Sequence, residues 1–262
     1  MMLRRAQPLR TTQGATMAHE PTGTPVDVRV VRLAGGDSHL WLDPALHVYV
    51  TAMGYPRGIE GQRRTLWREH ISRPGWSAYG AVAHVAPGRF GGARLRRSAH
   101  ATPQRRLGRG LLPDRDAGPH EALIGIAYGY RGAPDQWWNQ QLRTGLRQVG
   151  YPPEASAALL TDYFELTELH VHPDAQGHGV GQLLLTNLLA DRPEARVLLS
   201  TPEVPGEENR AWSLYRRFGF SDVLRNFTFA GDPRPFAFLG RELPLSVHQQ
   251  PRHDSTPPIG SR

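Results

Sequence analysis

Six consecutive residues, Gln176-Gly177-His178-Gly179-Val180-Gly181, have the composition of an anion-binding turn. They follow an alternating segment that ends in Val171-His172-Pro173 and precede a leucine-rich one, so a strand runs into a glycine turn and then a helix. The first N–H groups of a helix lack partners within it, and the helix dipole adds positive character there. Glycine at 177, 179 and 181 clears side chains from the place where a phosphate must approach the main chain. These residues alone specify a phosphate-bearing ligand. The dinucleotide fingerprint G-x-G-x-x-G is not met, because position 182 is Gln. The chain has no cysteine, which removes disulfides, thiolate metal sites and a cysteine nucleophile. All 31 of its basic side chains are arginine, so a Walker lysine and a lysine Schiff base are excluded too. No metal site is expected.

What the turn does match is Q-x-x-G-x-G after a strand. With two further segments, it resembles the GCN5-related N-acetyltransferase superfamily. Leu169-His170-Val171-His172-Pro173 is similar to that family's L-x-V-x-P strand end. Ala211 to Phe220, AWSLYRRFGF, is similar to its A-x-x-L-Y-x-x-x-G-F helix and turn. The three occur in the family's order and at family-like separations, and the match covers roughly residues 162–243.

The resemblance implies an α/β fold: a mixed, mostly antiparallel sheet of about seven strands with helices on both faces. A V-shaped splay would separate the fourth and fifth strands. It implies acetyl-CoA as co-substrate, with main-chain groups of Leu169, His170 and Val171 pairing with the pantetheine arm. Gln176, Gly177, His178, Gly179, Val180 and Gly181 would wrap the pyrophosphate. Tyr215 would protonate the departing thiolate. The family often places Asn seven residues before that tyrosine; here that position is Glu208, and Asn209, one residue later, is carried as a coenzyme A contact.

An amine must lose a proton before it attacks a thioester, so a carboxylate is expected at the cleft. Glu165 and Glu168 both lie on the fourth strand. Histone- and arylalkylamine-acetylating branches carry their base eleven residues before the loop motif, which from Gln176 is Glu165. Glu168 is three residues on and would face the other way on a regular strand, unless a bulge intervenes. Glu165 is preferred; Glu168, Glu203 and the absence of any single base stay open.

The elements that must position these groups follow from periodicity. Val26–Leu33, Trp76–Val85 and Glu121–Tyr130 read as the first three strands, with helices near Ser38–Thr51 and Arg63–Ser72. Tyr163–His172 and Ala195–Thr201 are the fourth and fifth. Val180–Leu189 and Asn209–Phe218 read as helices, and Asp222–Ala230 with Pro235–Leu243 as a closing hairpin around Gly231-Asp232-Pro233. In the helix expected within Pro134–Val149, residues 138, 142, 146 and 149 share one face, which either packs on the sheet or walls the acceptor cleft. Residues 26–245 are read as one acetyltransferase domain with two insertions, an arginine-rich mobile segment at 87–119 and the helix at 134–150. Tails 1–25 and 246–262 read as disordered.

The function expected is acetyl transfer to a primary amine by direct attack in a ternary complex, with a protein lysine or N-terminus favoured as acceptor. Small-molecule amine acetylation and a non-catalytic acyl-CoA-binding sensor are the alternatives. The segment 87–119 carries eight arginines against Asp114 and Asp116, which would disfavour polycationic acceptors and suit an acidic protein. Nucleic acid is not an expected partner, because only Phe90 could stack on bases there. No run approaches the ~20 apolar residues of a membrane span. A cytoplasmic monomer or homodimer is expected.

Overall fold

The computed structural model describes residues 26–56, 58–85, 95–97 and 120–245. Among them, eight strands form one sheet: β1 (Val26–Leu33), β2 (Ser77–Val85), β3 (Leu95–Arg97), β4 (His120–Arg131), β5 (Tyr163–Val171), β6 (Arg196–Pro202), β7 (Ser221–Thr228) and β8 (Pro235–Glu242). The helices are α1 (Ser38–Met53), α2 (Ile59–Ile71), α3 (Trp137–Gln148), α4 (Pro153–Leu159), α5 (Val180–Leu189) and α6 (Arg210–Arg217). Strand order is β3-β1-β2-β4-β5-β6-β8-β7. Only β1–β3 and β5–β6 are parallel pairs. The seven expected strands are present. The short β3 is an eighth, drawn from the arginine-rich segment; the rest of that segment and both tails lie outside the described residues.

Alternation along the strands sends two sets of side chains to opposite faces. On one face Ala122, Ile124, Phe164, Leu166, Val197 and Leu199 meet the apolar stripe Val180, Leu184, Leu185 and Leu188 of α5, together with Trp212, Leu214 and Tyr215 of α6. On the other, Leu123, Ile126 and Tyr128 pack on Trp41, Leu42, Ala45, Leu46 and Tyr49 of α1 and on Trp67 of α2. Also on that face, Tyr163 and Leu198 pack against Trp138, Leu142 and Leu146 of α3, with Phe227 and Phe238 joining them. Val149, expected on the same face as these α3 residues, is 63% exposed instead, because the helix stops at Gln148 and the chain turns at Gly150. α4 was not expected: seven residues are too few to show a 3.6-residue period.

The parallel pair is short. β5 meets β6 only at Tyr163↔Arg196, Phe164↔Val197 and Glu165↔Leu198. From Leu166 to Val171 the strand stays paired with β4 and has no β6 partner. The expected splay is therefore the gap that opens after Glu165.

A bulge corrects the reading of strand faces. Gly129 pairs with Leu166 while its neighbour Tyr128 pairs with Glu168, so Thr167 is an extra residue in β5. Glu165 opposite Tyr130 and Glu168 opposite Tyr128 consequently lie on one face, not on opposite ones. Gly129 makes room for this: a Cβ there would enter the Glu165 carbonyl and come 2.7 Å from the Phe164 ring. Gly129→Ala should cost about 1–3 kcal/mol, read as a drop of several degrees in Tm, with a larger loss of activity than of folded protein. An unchanged Tm would show that the bulge tolerates a methyl group.

Candidate active site

The glycine turn adopts the conformation its composition requires. Gly177 (φ 81°) and Gly179 (φ 79°) are left-handed, and Gly179 caps the N-terminus of the ten-residue α5. The main-chain N–H groups of Gly177, His178 and Gly179 have no acceptor among the described residues, and those of the first helical turn point the same way. The turn is braced from within. Gln176 donates its amide to the Val171 carbonyl at 3.0 Å and accepts from Arg210 Nη1 at 2.9 Å, while His178 Nδ1 lies 2.9 Å from the Gln176 carbonyl. The ring of His178 is exposed. Free N–H groups, a helix N-terminus and the Arg210 guanidinium fit the pyrophosphate of coenzyme A.

Tyr215 sits on α6 with its ring buried against Phe220 at 5.6 Å. Its hydroxyl faces the cavity with no hydrogen-bond partner among the described residues. Burial first, and then the negative charge of Glu168, raise its pKa, so the hydroxyl stays protonated. Asn209, expected to touch coenzyme A, uses its Oδ1 to cap α6 through the Trp212 N–H at 2.9 Å. α6 is further fastened by Trp212, whose ring lies under Arg216 and Arg225, and by the bonds of those arginines to Glu207, Glu203 and Asp222. Glu203 is thereby committed to Arg225 and the Asn226 N–H, which leaves it a structural carboxylate.

The opposite face carries the glutamates. Glu165 is 2% exposed; Tyr130 donates to its Oε1 at 2.9 Å, and its Oε2 has no partner. Burial pushes its pKa up to about 7, against the opposing pull of the Tyr130 bond and the Arg73 charge. Glu168 Oε2 lies 2.5 Å from His170 Nε2, and the His170 and Tyr49 rings make a T-shaped contact with centroids 4.9 Å apart. Nearby, His70 Nδ1 lies 3.0 Å from Tyr128 Oη. Burial and then Arg73 lower the His70 pKa to about 4, which keeps that ring neutral.

One cavity of about 1530 Å³ connects these groups. Its wall runs from Gly177, Gly179 and Arg210, past Tyr215 and the β5 segment 165–171, to Tyr49, Arg63 and His70. The glycine turn and Tyr215 belong to the α5–α6 side of the sheet, and the glutamates to the α1–α2 side. The cavity therefore passes through the sheet where β5 leaves β6. Trp137 and Trp138 also line it, so α3 both packs on the sheet and walls the cleft. The sequence reading missed Tyr130, His70, Tyr49 and Arg210. Tyr130 and His70 reach the site through cross-strand register and helix packing, which no local pattern encodes. Arg210 had one available signal, its place at the start of the Ala211–Phe220 motif.

Residues 148–222 match the acetyltransferase (GNAT) domain family. A GCN5-like protein acetyltransferase of Mycobacterium tuberculosis is 50% identical over 216 residues, covering 82% of this chain and 98% of that protein. Among solved structures, a putative acetyltransferase of the GNAT family from Desulfovibrio desulfuricans is similar at 13% identity and a TM-score of 0.47, covering 82% of this chain and 98% of its own. An acetyltransferase from Thermus thermophilus is similar at 13% identity and 0.44, covering 83% and 97%. No helix among the described residues is long and apolar enough to cross a membrane.

Two outcomes follow from this geometry. His178→Glu places a carboxylate beside the free N–H groups without disturbing a left-handed glycine. It should weaken acetyl-CoA binding by calorimetry about tenfold or more at unchanged Tm; equal affinity would mean the turn does not face the phosphates. The second concerns Glu165, whose folded pKa of about 7 exceeds its unfolded value. The folded state then holds the extra proton between about pH 4.5 and 7, so this group's contribution falls as pH rises through that window. Glu165→Gln should raise Tm at pH 8, with the gain shrinking toward pH 5. A gain that is the same at both values would contradict the buried-carboxylate reading.

Proposed function

The chain belongs to the GCN5-related N-acetyltransferase superfamily and is an acetyltransferase, and on that premise we propose that it moves acetyl from acetyl-CoA to a primary amine of a protein by direct attack in a ternary complex. The observation that carries the reading is the cavity that runs through the sheet, with phosphate-binding N–H groups at one end and two glutamates at the other. Support for a protein acceptor comes from the 50% identical relative, which is described as a protein acetyltransferase.

Acetyl-CoA would lie on the α5–α6 side. Gln176, Gly177, His178, Gly179, Val180 and Gly181, with Arg210, would hold its pyrophosphate. The main-chain groups of Leu169, His170 and Val171, left without a β6 partner, would pair with the pantetheine arm. N–H groups of β5 that face the gap are positioned to receive the negative charge that grows on the carbonyl oxygen. The acceptor would arrive from the α1–α2 side as an ammonium ion. Glu165 takes one of its protons, directly or through water, and exposes the lone pair. As the N–C bond forms and the C–S bond breaks, Tyr215 gives its proton to the sulfur, and the new amide nitrogen sheds the proton that restores it. One proton per turnover is released to solvent. Glu168, held by His170, would add the negative charge that draws the ammonium in.

Wild-type kcat/KM should rise with pH through about 7, the value to which burial moves Glu165. Glu165→Gln should lose that limb and fall about 100-fold or more in kcat. Tyr215→Phe should lower kcat with acetyl-CoA affinity preserved. Full activity in Glu165→Gln together with a dead Glu168→Gln would move the base to Glu168.

A further inference from the structure

The acceptor side of the cavity is lined by Arg63, Arg73 and Arg234, and their partners differ. Arg73 pairs with Glu69 at 3.2 Å and lies over the Tyr130 ring. Arg234 pairs with Asp232 at 2.6 Å. Arg64, next to Arg63 on α2, pairs with Asp43 at 2.5 Å. Arg63 alone of these has no carboxylate partner among the described residues; its guanidinium rests over Tyr49, 5.3 Å from the ring centroid. The same Tyr49 ring makes a T-shaped contact with His170, which is paired with Glu168. The rings of Tyr49 and His170 thus lie between Arg63, which has no carboxylate partner among the described residues, and Glu168, one of the two carboxylates expected to receive the acceptor's ammonium. The charge of Arg63 bears on Tyr49, His70 and Tyr128.

A ligand that satisfies both poles carries an amine and an anion a short distance apart. Guanidinium matches a carboxylate with two parallel N–H···O bonds, and its place over the Tyr49 ring leaves its N–H groups free for them. An extended residue spans about 3.3–3.6 Å, so the anion belongs within a few residues of the amine. We infer that Arg63 sets acceptor specificity by reading a carboxylate, so that the preferred acceptor is a protein amine flanked by Asp or Glu. The inference rests on the protein-amine reading and adds the feature of the protein that is read. It stands on residues of α1, α2 and β5 and needs nothing from the arginine-rich segment.

The full chain is assayed with acetyl-CoA and a set of one-lysine peptides in which Glu, Ala or Arg is placed at each of the positions flanking the lysine. The wild type should prefer the best Glu peptide over its Ala counterpart by about tenfold in kcat/KM. Arg63→Ala should erase the difference. Arg63→Glu should invert it, favouring the Arg peptide, a swap that a misfolded variant cannot produce. Equal rates on the Glu, Ala and Arg peptides, or a Glu preference that survives in Arg63→Ala, would overturn the inference and leave the protein-amine reading standing. If no peptide is acetylated, the protein-amine reading falls by itself. The same three enzymes are then compared on a small primary amine with and without a carboxylate. Loss of that discrimination in Arg63→Ala supports the role of Arg63, and its persistence or absence in the wild type overturns it.

Discussion

The departure of β5 from β6 after Glu165 is the constraint on which the site depends. A strand that leaves its parallel neighbour exposes main-chain N–H and C=O groups, and buried groups of that kind are costly unless something pairs with them. β5 keeps its β4 partners up to Val171, so only its β6-facing edge is freed. That edge lines the cavity between the two faces of the sheet. α5 and α6 on one side, with α1, α2 and α3 on the other, then close the gap into one cavity rather than leaving a frayed sheet.

Within the gap, the bulge at Thr167 decides which side chains lie on which face of the sheet. Without it, alternation would send Glu165 and Glu168 to opposite faces. With it, both carboxylates and His170 lie on the α1–α2 side of the sheet, while Leu169 and Val171 turn to the α5 core. Holding a carboxylate at 2% exposure with one oxygen unpartnered raises the Glu165 pKa to about 7, close to neutral pH. Burial acts on Tyr215 in the same sense, favouring the protonated form, and keeps its hydroxyl proton in place.

The parts that were legible in the sequence are those whose physics is local. A strand, a turn with glycine at 177 and 179, and a helix with an apolar stripe all show in consecutive residues, and the placement of Tyr215 on a helix showed likewise. Glu165 and Glu168 were recognised as strand carboxylates, but their shared face depends on register against Gly129 and Tyr128, some forty residues earlier in the chain. Tyr130, which bonds Glu165, enters through the same long-range pairing, and His70, which bonds Tyr128, through the packing of α2 on the sheet. Asn209 caps the helix it begins and also lines the cavity, a capping role that its place one residue before Arg210 does not by itself reveal. β3 was missed because three residues carry too little alternation to show a strand.

The central claim is that the cofactor lies against the free edge of β5 and the glycine turn. Amide hydrogen exchange on the full chain, with and without acetyl-CoA, tests it most directly. The account predicts slowed exchange at Leu169, His170 and Val171 and across Gly177–Gly181 when acetyl-CoA is bound, with little change in β1 and β2. Protection confined to other segments, or none at saturating acetyl-CoA, would contradict it.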